Sequence, residues 1–174
     1  MADVEDPSEK YDQDFFLALA AKGKDAWNEW RRDPANKDAR VTFAGIDFCE
    51  APDDKINFAG FEFGDQANFS RCKWRAFASF IDAIFGYSAN FGNAVFGHHA
   101  IFRHTTFGDF ADFTGSVFGD DAGFAGAIFG AWAHFTNVDF GDNARLYPRG
   151  LRRRGRLHPS GLRFYGQVHW RDVR

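Results

Sequence analysis

Aromatic residues recur along the centre of this chain with a period that leaves few folds open. Phe58, Phe69, Phe80, Phe91, Phe102, Phe113, Phe124 and Phe135 form one series, and every step is eleven. Phe63, Trp74, Phe85, Phe96, Phe107, Phe118, Phe129 and Phe140 form a second series with the same step. The two interleave at spacings of five and six. Phenylalanine supplies 23 of the 174 residues and glycine 18, a bias that the repeat accounts for. Self-similarity at a fixed short period marks a solenoid or another array of stacked units.

Two residues before each aromatic stands a small or aliphatic side chain, as at Ala67, Cys72, Ala83, Ala100, Thr105, Ser116 and Val138. Residues i and i+2 of an extended segment share a face, so both members of each pair point inward. The residue between them points outward and is mostly polar or small, as at Asn68, Lys73, Ser79, Asn90, Asp112 and His134. The three-and-four spacing of an amphipathic helix is absent. The consensus A-x-F-x-x-A-x-F-G-D-x predicts short strands joined by tight corners.

That consensus resembles the pentapeptide repeat family, whose unit is A-(D/N)-(L/F)-x-x. Asp25-Ala26-Trp27-Asn28-Glu29-Trp30-Arg31-Arg32, followed by Pro34 and by Val41 to Phe48, is similar to the W-N-x-W-R segment that leads into such repeats. The resemblance covers about residues 11–143. It implies an all-β chain: a right-handed quadrilateral parallel β-helix with a short α-helical N-terminal cap. This sequence departs from the family by one extra residue after every second pentapeptide. The residue at or beside the insertion varies (Gln66, Phe77, Ser88, His99, Phe110, Asp121, Trp132, Asn143), as an outward bulge at a corner would.

A 22-residue coil with four sides is expected. An 11-residue coil has a contour of about 36 Å, and facing walls must stand about 10 Å apart to hold side chains. It has no room for two phenylalanines and two alanines per layer. In the longer coil the aromatics form four inward columns: 58/80/102/124, 69/91/113/135, 63/85/107/129 and 74/96/118/140. Burying each ring is worth about 1.5–3 kcal/mol before entropy. A larger side chain in an alanine slot should overpack the tube.

Four segments are expected: a disordered stretch 1–10, a helical cap 11–40, the repeats 41–143 and a basic segment 144–174. The cap reads as a helix over 12–22, carrying Phe15, Phe16 and Leu19, stopped by Gly23. A second helix over about 24–33 carries Trp27 and Trp30 and ends near Pro34. The cap should cover the unpaired strand groups of the first coil.

Charge is partitioned along the chain. Residues 41–143 hold 13 acidic and 5 basic residues, and residues 144–174 hold 1 and 9. Phenylalanine fades after Phe140, yet Leu146, Leu151, Leu157, Leu162, Val168 and Val173 keep the alternation of five and six. Two explanations fit. One is a genuine basic coil with leucine in place of phenylalanine. The other is an out-of-frame continuation: GC-rich codons for Ala-Asp-Phe, displaced by one nucleotide, read Arg-Leu or Gly-Leu. Arg145-Leu146, Gly150-Leu151, Arg156-Leu157 and Gly161-Leu162 match that pattern.

No catalytic constellation emerges. His98, His99 and His104 lie close in sequence but lack a matching carboxylate or cysteine set at metal-ligand spacing, and the Gly-Asp pairs are better explained by turns than by calcium. Cys72 occupies an alanine slot and should point inward, and Cys49 should face a corner. There is no nucleotide fingerprint. The expectation is a non-enzymatic scaffold for protein–protein interaction, with no catalytic residue, metal, cofactor, small-molecule substrate or membrane span. The acidic start (Met1 to Glu9) is unlike a secretory signal peptide, and two cysteines without a disulfide framework suit a cytoplasmic setting. Outward aromatics Phe77, Phe110 and Trp132 are the candidate recognition residues. The resemblance implies a bacterial source and adds a second reading, a DNA mimic that modulates DNA gyrase or another topoisomerase. A third is nucleic-acid binding through Arg152, Arg153 and Arg154 of the tail. The open C-terminal end is expected to favour an end-to-end homodimer.

Overall fold

The structure is a computed structural model that describes residues 11–50 and 57–146, together with the backbone of three short strands farther on. The expectations for residues 1–10, for the Arg152–Arg154 cluster and for a C-terminal end contact lie outside the described residues.

Two helices come first: α1, Gln13–Ala21, and α2, Lys24–Arg32. Asp12 caps α1 by accepting the Phe15 N–H, as N-cap aspartates do. Gly23 takes a φ of 91° between the helices, where a side chain would be strained. A 3-10 turn at Pro34–Asn36 then leads the chain to the solenoid.

Short parallel strands follow: β1 Glu62–Gly64, β2 Lys73–Trp74, β3 Ile84–Phe85, β4 Val95–Phe96, β5 Thr106–Phe107, β6 Val117–Phe118, β7 Ile128–Phe129, β8 Asp139–Phe140, β9 Arg145–Leu146, β10 Gly150–Leu151, β11 Arg163–Phe164 and β12 His169–Trp170. Alternate strands pair. The first side of the solenoid stacks β1, β3, β5, β7 and β10, and the third side stacks β2, β4, β6, β8 and β11. Single bridges build the other two sides. Thr42, Asn68, Asn90, Asp112 and His134 run up the second, and Ser79, Ile101, Gly123 and Arg145 up the fourth. Phe85 pairs with Phe107 and Phe96 with Phe118. The same interval separates Asp65 from its partner Tyr87, so each coil advances the chain by 22 and has four sides.

Coil length departs from this value at both ends. Thr42 pairs with Asn68 and Asp47 with Lys73, an interval of 26, which makes the first coil the longer one. Beyond β10, Phe164 pairs with Phe140 and Trp170 with Leu146, an interval of 24, so the basic segment also closes a longer coil.

The core is a bundle of four ring columns. Phe63, Phe85, Phe107 and Phe129 stack at 4.6, 5.1 and 4.9 Å between centroids. Phe69, Phe91, Phe113 and Phe135 repeat at 5.1, 5.0 and 5.1 Å. Within a column the planes are nearly parallel; between columns they meet edge to face, as at Phe69–Phe80 (86°) and Phe96–Phe102 (83°). Both arrangements are favourable for ring quadrupoles. Phe43 and Phe48 extend two columns downward, under Phe69 and Trp74.

Candidate interaction face

Each coil turns at four corners, and each described corner from Gly60 to Asn143 is taken by a residue in the left-handed region. The first corner carries Gln66, Ser88, Phe110 and Trp132, and the third carries Phe77, His99, Asp121 and Asn143, with φ between 54° and 65°. These two corners lie in the six-residue steps and hold the extra residue of each double unit. Glycine and asparagine tolerate this conformation; bulky residues are strained in it. Phe77, Phe110 and Trp132 adopt it at φ of 65°, 62° and 62°.

The glycine that follows the second aromatic has a different cause. A Cβ on Gly108 would lie 2.5 Å from the Gly86 carbonyl oxygen, and one on Gly97 2.6 Å from the Ala76 nitrogen. The coil below is too close for any side chain. The aspartate after it bridges coils: Asp65 accepts the Tyr87 N–H at 2.9 Å, Asp109 the Ala131 N–H at 2.7 Å and Asp120 the Asp142 N–H at 2.8 Å. His98 fills the same role through Nδ1, accepting the Asp120 N–H at 3.1 Å. Gly-Asp is thus an inter-coil bracket.

The sixteen column residues, from Phe58 and Phe63 to Phe135 and Phe140, are all buried. So are the polar residues in alanine slots, each donating to a carbonyl: Thr105 to Phe80, Ser116 to Phe113 and Cys72 to Phe43. Burial pushes the Cys72 thiol up to about 12, which makes it a poor nucleophile. Cys49 is exposed. In the cap, Phe16, Leu19 and Trp27 are buried, while Phe15 and Trp30 are partly covered against them.

The cap works through two residues that hydrophobic patterning does not reveal. Asn28 imitates a neighbouring strand: its Nδ2 donates to the Gly60 carbonyl and its Oδ1 accepts the Glu62 N–H, both at 2.9 Å. Buried Arg31 donates to the carbonyls of Asn36, Ala39 and Phe63. Desolvation lowers its pKa, and Asp65 and Asp38 offset part of that. The Trp27 indole N–H adds a bond to the Glu62 carbonyl. The only sequence sign of these roles is the polar residues set between the tryptophans of the W-N-x-W-R segment.

The structure separates the three candidate recognition aromatics. Phe77 is 66% exposed on the third corner, where its ring stacks on His99 at 4.7 Å. Phe110 and Trp132, 39% and 52% exposed, lie together on the opposite first corner, 6.5 Å apart, and Tyr87 packs on Phe110 at 5.3 Å. The adjoining first side points Ile84, Thr106 and Ile128 outward, and both isoleucines are exposed. Five large apolar side chains therefore share one strip along the axis. Tyr87, Ile84 and Ile128 were not anticipated. They stand at outward positions whose residue type varies, and the repeat does not say which rungs become neighbours.

Among the described residues, no three of His, Cys, Asp and Glu stand where they could hold a metal ion. His98, His99 and His104 each face an aspartate, at 3.2, 3.8 and 3.4 Å. None of the described helices is long and apolar enough to cross a membrane.

Parallel strands, four-sided coils and a ring-filled bore define a β-solenoid whose exposed chemistry is carried by its corners and outward rungs. Residues 58–106 match the family model for pentapeptide repeats (9 copies), so this part of the chain is built of pentapeptide repeats. No curated protein and no solved structure matches the chain.

Proposed function

We propose that the chain is a non-enzymatic scaffold whose first corner and first side dock a protein partner. The observation that carries this reading is the strip of Ile84, Tyr87, Phe110, Ile128 and Trp132. Contiguous exposed apolar surface on a protein generally marks a contact site, and aromatic residues are enriched at the anchors of interfaces. Phe110 and Trp132 stand there in a backbone conformation that asparagine or glycine would hold at less cost. Packing inside the solenoid does not require them. A cytoplasmic setting accords with two free thiols, one of them exposed.

The acidic surface supports a topoisomerase-directed DNA mimic less well. Asp65, Asp109 and Asp120 are bound to backbone N–H groups of the next coil. Asp47 pairs with Lys73 at 3.0 Å, and Asp82 and Asp121 face His104 and His99. These carboxylates are dispersed around the rod and engaged, not massed on one face.

The test is capture from the native host with the wild-type chain and with the double variant Phe110→Ser/Trp132→Ser, both shown folded by circular dichroism. A protein retained by the first and lost by the second supports the scaffold reading. Equal retention on both columns, or none on either, defeats it. A salt-sensitive inhibition of gyrase supercoiling, equal for the two, would favour the DNA mimic instead.

A further inference from the structure

One outward rung of the fourth side has no side chain. The positions run Ser79, Ile101, Gly123, Arg145. A Cβ built on Gly123 meets nothing within 4 Å, whereas one on Gly108 or Gly130 would strike the coil below at 2.5 Å and 2.4 Å. Gly123 also lies outside the left-handed region. Neither packing nor backbone geometry demands glycine there; its effect is to leave space. With Ala125 and Gly126 it floors a groove of about 750 Å³.

The groove walls carry complementary chemistry. On the third corner the Phe77 and His99 rings are stacked at 4.7 Å and 9°, in a short external column. The next residue of that column is Asp121, which lines the groove with its carboxylate 3.8 Å from His99 Nδ1. Arg103 and Arg145 also line it, one coil to either side of the empty rung. Among the described residues neither makes an ion pair. Asp82, the other carboxylate at this side, is turned to His104 at 3.4 Å.

We propose that this groove binds a nucleoside monophosphate whose base carries an amino group. The base lies over the bare Gly123 rung, against Ile101 and beside the Phe77–His99 column. Asp121 accepts the exocyclic amino hydrogen. The phosphate sits between the two guanidinium groups, which are built to hold it by charge-assisted, forked hydrogen bonds. This site is on a different side from the interaction strip, so it stands or falls separately.

Titration calorimetry of the full chain with AMP tests it, with inorganic phosphate and ribose 5-phosphate in parallel. AMP should bind, and the two base-free probes should bind at least about tenfold more weakly. Gly123→Val places a β-branched side chain where Ile101 has one a coil earlier; it should fold normally and lose AMP. Arg103→Ala should weaken AMP about tenfold and flatten its salt dependence. No heat or chemical-shift change with AMP up to about 5 mM overturns the proposal. So does phosphate binding as tightly as AMP, or a folded Gly123→Val that binds as well as wild type.

Discussion

At the residue scale, the alanine slots show how little room the bore has. Ala100 and Ala111 are fully buried two residues before a ring that is itself stacked above and below. A branched side chain has nowhere to go without parting the coils. Ala111→Leu should lower stability by about 1–3 kcal/mol, read as a reduced urea midpoint. Cys72 gives a second residue-level test. Its folded value of about 12 lies above the unfolded 9.0, so the unfolded chain loses the proton first. The thiol adds no pH dependence below about pH 9, and above it stability falls by up to about 1.4 kcal/mol per pH unit until the folded form also titrates. Urea melts from about pH 8 to about pH 10.5 should show a steeper decline for the wild type than for Cys72→Ala.

The strands are two or three residues long, so their stability comes from what lies above and below. Gly108 and Gly123 separate two reasons for glycine. Gly108→Ala drives a methyl into the Gly86 carbonyl and should cost more than about 2 kcal/mol; Gly123→Ala meets open space and should change the melting temperature little. At the cap, Asn28→Ala leaves the Gly60 carbonyl and the Glu62 N–H unpaired. It should cost about 1–3 kcal/mol, with faster hydrogen exchange at Glu62 before the inner coils are affected. The strand spacing, the inward columns and both helices were legible in the sequence because each is set by local periodicity. The long first coil was not, since Phe43 and Phe48 precede Phe69 and Trp74 by more than a regular coil and break the period. Nor were Asn28 and Arg31, whose value depends on which carbonyls the tertiary fold brings to them. Of the candidate face, the exposure of Phe110 and Trp132 could be read from their corner positions. Their union with Tyr87 and Ile84, and the exile of Phe77 to the far corner, follow only from the four-sided turn.

The whole molecule is a one-dimensional stack in which each coil touches its neighbours. The interaction strip is a cost that stack tolerates. Phe110→Asn relieves a strained aromatic corner and should raise stability by a few tenths to about 1 kcal/mol, measured by thermal melting, while weakening any partner that uses the strip. A variant that gains no stability would mean that the Tyr87–Phe110–Trp132 contacts repay the strain.

The interior pattern recurs every half coil, but outward residues become neighbours only every full one. A duplication or deletion of one half coil would therefore leave the bore in phase and yet swing everything downstream through half a revolution. Trp132 would exchange flanks with Asp121 while no buried ring changed its environment. Such a chain can rearrange its outer pattern by whole half-turns without repacking its centre, a route to new surfaces that a globular core does not offer.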